Sequence, residues 1–247
     1  MIPRYFIVAE RDHEIQNPTS EEKLLLLGRR IRLGPDSRVL DIASGRGGPA
    51  LLLAQAFGCR IDGVEIAPEF QAAAVEQAEA RGLEHLVSFR RADASLEELE
   101  REEYDAALCL GASFVYGSLA DTVEALAPSV RPGGHVVVGE PFWRHLPLPD
   151  DYEDRADPWT TLEGTVTIFE TSGLPVVSLI ASSEDDWDRY ETLRWRACDE
   201  WLARNPDDPD ARDIEVRHKR FKRTYLQHGR EYLGWAIFIG WKPDGAP

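Results

Sequence analysis

The sequence predicts an α/β fold built on one mostly parallel sheet of seven strands with helices on both faces, and three observations predict it. Short β-rich runs alternate with longer amphipathic stretches from Arg38 to about Ala181, the order that yields a doubly wound sheet. Proline opens and glycine closes the stretches after the first two runs, at Pro49 and Gly58 and again at Pro68 and Gly82, which is how helices start and stop. A glycine-rich loop, Ser44-Gly45-Arg46-Gly47-Gly48, joins the first run to the first of those helices. At 247 residues, one such domain can bury a substantial core.

Strands are expected at residues 38–42, 60–66, 87–90, 104–110, 135–139, 176–181 and 233–241. Right-handed crossovers then wind consecutive β-α-β units onto one sheet with little topological freedom. Ahead of the first strand, Leu24, Leu27 and Ile31 recur at three-and-four spacing within residues 20–32, one buried face of a helix that Ser20 can start. Residues 49–57 and 68–81 are the two proline-opened helices. Arg131-Pro132-Gly133-Gly134 reads as a type II turn, with glycine at the position of positive φ, and launches the fifth strand. Residues 183–232 separate the last two strands and are rich in charge and aromatics. A loop that long is unusual, so helices are expected there, broken at Asn205-Pro206-Asp207-Asp208-Pro209. The single domain thus divides into an N-terminal segment 1–19, a core of 20–182 with 233–242, and a helical insertion 183–232.

A formal charge of −16 repels phosphate backbones and anionic lipid, which disfavours nucleic-acid and membrane-surface binding and favours a small-molecule partner. The basic run Arg217, His218, Lys219, Arg220, Lys222 and Arg223 reads as the solvated face of a helix. Cys59, Cys109 and Cys198 lie far apart with no histidine at ligand spacing, so neither a metal site nor a disulfide framework is expected. No apolar run approaches membrane-spanning length. A cytoplasmic protein, monomeric or homodimeric, is expected.

The decisive segment is Val39-Leu40-Asp41-Ile42-Ala43-Ser44-Gly45-Arg46-Gly47-Gly48-Pro49-Ala50, a buried strand running into a glycine loop and then a helix. Glycines at 45 and 47 let a ligand approach the backbone where a β-carbon would block it. Gly45, Gly47 and Ala50 also satisfy the dinucleotide pattern, with Glu65 twenty residues after Gly45. Three carboxylates separate a nicotinamide site from an S-adenosylmethionine site. Asp41, near the end of the first strand, gains nothing beside a pyrophosphate but suits an α-ammonium. Glu65 closes the second strand, at the switch point where open sheets bind ligands, and can accept from both ribose hydroxyls. Asp93 stands after the third strand and can accept from an adenine amino group. Two rivals stay open: an NAD(P)-dependent oxidoreductase and a non-catalytic adenosyl-binding protein.

On these residues the chain resembles the class I S-adenosylmethionine-dependent methyltransferases, over a core from about Ser20 to Ala181 and the final strand. Residues 39–47 look like their first motif, Val64-Glu65 their second acidic position, Asp93 their adenine position, and residues 131–134 their Pro-Gly-Gly turn. The resemblance implies a Rossmann-like fold whose seventh strand inserts antiparallel beside the sixth. It implies S-adenosylmethionine as cofactor, held by Asp41, Ala43, Ser44, Gly45 and Gly47, by Glu65 and Ile66, by Asp93 and Ala94, and by Leu110 and Gly111. One departure is the loop itself, Ala43-Ser44-Gly45-Arg46-Gly47, where the family usually has glycine or Cys-Gly at the first positions; small residues are kept. Asn17-Pro18-Thr19-Ser20-Glu21-Glu22-Lys23 and Gly139-Glu140-Pro141-Phe142-Trp143 resemble a bacterial subgroup that acts on small molecules.

Methyl transfer from a sulfonium is an in-line displacement, so the protein must align the reactants and exclude water. The acceptor is expected beyond the fourth and fifth strands, against Phe114, Tyr116, Phe142 and Trp143. Candidate bases are His13, brought in by a folding-over N-terminal segment, Glu140, Tyr116 and His145; His135 begins the fifth strand at the wrong edge. The fourth strand ends Leu110-Gly111-Ala112-Ser113, unlike the amino-methylating DNA enzymes, which argues against nucleobase chemistry. The segment before Ser20 and the insertion 183–232 are expected to cover the acceptor.

Overall fold

The computed structural model describes residues 2–244. Strands β1 (Arg38–Ile42), β2 (Arg60–Glu65), β3 (Val87–Arg91), β4 (Tyr104–Leu110), β5 (Val130–Trp143), β6 (Val176–Ala181) and β7 (Leu233–Trp241) form one sheet in the order β3-β2-β1-β4-β5-β7-β6. The pairs among β1 to β5 are parallel, and β7 runs antiparallel between β5 and β6. The order reverses at β1, so the cleft beyond the ends of β1 and β4 is where a ligand has room.

A period of two splits the strands between two cores. Val39, Ile61 and Leu108 face one core, packed by Leu24 and Leu27 of α2 (Glu21–Arg30), Leu51 of α3 (Gly48–Phe57) and Ala74 of α4 (Pro68–Ala80). Leu40, Ile42 and Val138 face the other, under Val123 of α5 (Leu119–Leu126) and Phe169 of α6 (Leu162–Thr171). Ser20 caps α2, its hydroxyl accepting from Lys23 N at 3.3 Å.

The fifth strand is longer at both ends than residues 135–139. Val130 already pairs with Tyr104, residues 131–134 loop out of register with Gly133 at φ 80°, and pairing with β7 continues to Trp143. Helices α5 and α6 have no counterpart among the expected elements. The insertion is helical: α7 (Glu184–Arg204) and α8 (Ala211–Thr224) flank the expected break, and a π turn, Tyr225–Gly229, leads into β7. A capping box, Ser183 with Asp186, starts α7, and Lys23 of α2 pairs with Asp186. A six-residue helix too short to stand alone, α1 (Arg4–Ala9), is held on α7 and α8 by the buried side chains of Tyr5 and Val8 against Cys198 and Ile214. At about 1.5–3 kcal/mol for each large side chain buried, this contact suffices to dock it. No helix among the described residues is long and apolar enough to cross a membrane.

Candidate active site

The loop after β1 folds through three left-handed residues, Ala43 (φ 55°), Gly45 (φ 56°) and Gly47 (φ 80°). The alanine carries a strain of about 1–2 kcal/mol that the glycines avoid. Glu65, at the end of β2, ties the loop down: Oε2 accepts from Gly45 N at 2.9 Å and Oε1 from Ala67 N at 2.7 Å. Burial pushes its carboxyl up, and the backbone amides around it pull the other way. A carboxylate offers about four acceptor sites, so Glu65 retains capacity for further donors.

Asp41 lies on the same face of β1 as Val39, buried, with no donor at Oδ2. Burial, reinforced by neighbouring Glu65, pushes its carboxyl up to about 7. Ser44 Oγ is likewise buried without a partner. Gly63 on β2 makes the room, since a Cβ there would press on the Phe89 ring and on Ser44 Oγ. Asp93 caps the 3-10 turn Ala94–Leu96, accepting from Ser95 N at 3.1 Å and Ser95 Oγ at 2.7 Å. Ile66 holds an apolar side chain 43% exposed beside Glu65, whereas Ala94 is buried. Leu110 ends β4 in the core, and Gly111 follows at φ 79°.

Two expectations change here. Gly47 does not open space toward a ligand, because a Cβ on it would meet Phe89 and Ala74 of the core; its glycine serves positive φ and strand–helix packing. The second concerns the N-terminal segment expected to fold over the site with His13: the residues that cross the glycine loop, as a strap, are 14–17 instead. Gln16 Oε1 accepts from Arg46 N at 2.7 Å. A Cβ on Gly45 would overlap Gln16 Oε1, one on Gly48 the carbonyl of Glu14, and one on Gly111 the Asn17 Oδ1. Residues 14–17 therefore lie across the glycine loop and the end of β4. Asn17-Pro18-Thr19 signalled only a helix start, and nothing local in it points at residues 45–48.

Beyond the ends of β4 and β5 is a cavity of about 690 Å³. Its floor includes Gly111, Ser113, Glu140 and Trp235, and its walls come from the strap, residues 152–160, α7 and α8. Gly139 seats the indole of Trp235, where a Cβ would collide with it. Glu140 is buried, accepts from Ser113 Oγ at 2.9 Å, and is pushed up to about 7 by burial, against which the Ser113 hydrogen bond acts.

The other expected acceptor residues fall differently. Phe114 lines the mouth, 75% exposed. Phe142 does not line the cavity: its partner on β7 is Gly234, and the ring fills the space a side chain there would take. Trp143 is buried against Tyr152 and Trp159 at 5.6 and 5.1 Å between ring centres, holding residues 152–160 in place. Tyr116 packs against the second core with its hydroxyl buried and unpartnered, and burial pushes it up to about 12. His13 is buried away from the cavity, its Nε2 3.0 Å from the Tyr190 carbonyl and its Nδ1 3.5 Å from Glu10. His145 is exposed against Tyr232. Of the candidate bases, Glu140 alone reaches the cavity among the described residues.

A family model described as a methyltransferase domain matches residues 39–134. The chain is 35% identical over 242 residues to YjhP of Escherichia coli, covering 96% of this chain and 97% of that protein. It is similar to the S-adenosylmethionine-dependent methyltransferase of Geobacter sulfurreducens, solved with S-adenosylhomocysteine, at TM-score 0.90 and 36% identity over 97% of this chain and 98% of that one. The corresponding enzyme of Thiobacillus denitrificans, also bound to S-adenosylhomocysteine, gives TM-score 0.90 and 35% identity over 97% and 98%. Neither the nicotinamide nor the non-catalytic reading finds support in these matches. The chain belongs to the class I S-adenosylmethionine-dependent methyltransferases, related to YjhP, and S-adenosylmethionine is its methyl donor.

Proposed function

We propose that the enzyme methylates a small molecule held in the cavity beyond β4 and β5. The observation that carries this reading is the cavity itself: its 690 Å³ falls in the range of small-ligand pockets, and it meets the strap and Gly111 at the end of β4. A formal charge of −16 disfavours a nucleic acid in the same place. The reading extends to a cytoplasmic enzyme, monomeric or homodimeric, whose three buried, unpaired cysteines suit a reducing compartment.

We assign the cofactor to the glycine loop and the strand ends beside it. Asp41 Oδ2 and Ser44 Oγ are buried polar atoms that lack partners, and the α-amino-acid part of the donor would supply them. The spare acceptor sites of Glu65 suit ribose hydroxyls, the exposed Ile66 side chain offers a face to adenine, and Asp93 can accept from its amino group. The loop of Ala43, Gly45 and Gly47, with Ala94, Leu110 and Gly111, completes the cradle. When bound, the donor supplies an electrophilic methyl on sulfur. Glu140 then stands as the base that takes a proton from the acceptor, since a carboxyl near 7 is matched to neutral pH.

Residues 1–19 and 183–232, joined by residues 152–160, form the cover that keeps water out. Incubation with methyl-labelled S-adenosylmethionine and a metabolite extract should give a labelled low-mass product by mass spectrometry. Label confined to macromolecules, or none above a heat-killed control, would sink the reading.

A further inference from the structure

We propose that the acceptor is a cationic amine, recognised by the aromatic walls of the cavity together with Glu140 and Asp157. This rests on the cavity being the acceptor site. Both arginines that line it are already neutralised. Arg194 lies 3.3 Å from Glu10 and 3.0 Å from Glu191. Arg220 lies 3.1 Å from Glu153 and 2.5 Å from Asp154. Arg194 has two carboxylates on its guanidinium, and Arg220 shares Glu153 with Arg223 but keeps Asp154, so neither offers surplus positive charge to an anionic acceptor.

The remaining acids face the opposite situation. Glu140 is 7% exposed; Ser113 donates to Oε1, while Oε2 has no donor and the carboxyl no cationic partner among the described residues. Asp157, half-buried on the same cavity, forms no salt bridge among the described residues; burial pushes its carboxyl up and Asp154 adds to the effect, while Arg220 acts against it. A buried carboxylate without a counter-ion is costly, and a bound cation removes that cost. The apolar walls favour the same ligand. Tyr152, Trp159, Trp187, Tyr190, Tyr225 and Trp235 line the cavity, and aromatic faces attract cations more strongly once water is excluded. A carboxylate acceptor would meet Glu140 as a like charge.

The chemistry balances. The ammonium gives one proton to the Glu140 carboxylate and becomes a neutral amine. Its lone pair forms the new nitrogen–carbon bond as the carbon–sulfur bond breaks, the bonding pair remaining on sulfur. The product is a methylated ammonium, and Glu140 returns its proton to solvent.

The test uses full-length enzyme saturated with S-adenosylhomocysteine, whose binding is measured first, and three probes of similar size: benzyltrimethylammonium, benzyl alcohol and benzoate. Quenching of tryptophan fluorescence should show the ammonium binding about tenfold or more tighter than the alcohol, and benzoate weakest. Glu140→Gln should reduce the preference for the cation to within about threefold, with S-adenosylhomocysteine affinity unchanged. Asp157→Asn should reduce it in part. Benzoate binding as tightly as the ammonium, or no binding of the ammonium, overturns the proposal on wild-type protein alone, whatever the variants do. So does a preference that survives in both variants. Identification of the labelled product separates this proposal from the reading beneath it. A methyl on nitrogen supports the amine; a methyl on oxygen, sulfur or carbon overturns the amine but keeps the small-molecule acceptor. No labelled small product removes both.

Discussion

The two sides of the strap are built by different means. On the side proposed for the cofactor, Glu65 is held by two backbone amides, Gly45 and Ala67, and the conformation rests on left-handed residues within one turn. On the side proposed for the acceptor, the cavity is walled by side chains from α7, α8 and residues 152–160, whose charges pair over long sequence separations, as Arg220 does with Glu153 and Asp154. The first construction fixes the loop through peptide groups, while the proposed cofactor contacts rest on the side chains of Asp41, Glu65 and Asp93 that strand ends position. The second can be rebuilt residue by residue, so acceptor choice is free to vary while the cofactor cradle stays.

The sharpest way to break this comparison is to place a side chain in the loop. Gly45→Val meets both a φ of 56° and the Gln16 side chain, and should cost about a hundredfold or more in S-adenosylmethionine affinity while far-UV circular dichroism stays native. Gly47→Val should differ in kind: its side chain enters the Phe89 and Ala74 packing, so the unfolding midpoint should drop, by about 1–3 kcal/mol of stability or more. If both variants lose binding equally and neither loses stability, the assignment of the two glycines is wrong.

A second test has two readouts of opposite sign. The carboxyl of Asp41 stands at about 7 when folded against 3.8 ordinarily. The folded chain therefore binds more protons between those values, and stability is lost as pH rises through that window. Asp41→Asn removes the loss, so urea unfolding at pH 8 should show the free variant more stable than wild type, on the order of 2–4 kcal/mol, with the gap vanishing below about pH 4. Its affinity for S-adenosylmethionine should nevertheless fall. A variant less stable at pH 8 would mean that Asp41 is paired in the free protein.

Glu65→Ala should weaken cofactor binding by about 1.5–3 kcal/mol, measured by calorimetry, because charge-assisted hydrogen bonds are lost from a buried position. An unchanged affinity in a folded variant would remove Glu65 from the cradle. The smallest effect on the cofactor is expected from deleting residues 1–12, which takes away α1 but leaves Gln16 and Asn17 on the loop. Affinity should stay within about threefold and turnover should fall by more than tenfold, since the cover is opened. Full turnover in the truncated enzyme would confine the acceptor site to the strand ends.

Much of the fold was legible because its signals are local. Six of the seven strands start where they were expected, since β-branched runs bounded by turn residues define them, and Pro49 and Pro68 mark helix starts within a residue. The fifth strand was read short, because Arg131-Pro132-Gly133-Gly134 looks like a boundary although the chain bulges there and resumes pairing. Phe142 and Trp143 were expected at the acceptor because they follow a strand end. Their orientation depends on Gly234 across β7 and on Tyr152 and Trp159, which no local pattern reveals.

By itself the sequence determined the sheet, the glycine loop and the three carboxylates Asp41, Glu65 and Asp93, because strand ends in a doubly wound sheet come together by topology alone. Only the tertiary structure decided that Gln16 and Asn17 cross the loop and that His13 turns toward Tyr190 and Glu10. Only it decided that Glu140, with Asp157 and Trp235, faces the cavity. These are choices between faces and among partners far apart in the chain, set by packing and charge pairing in three dimensions, and sequence spacing carries no record of them.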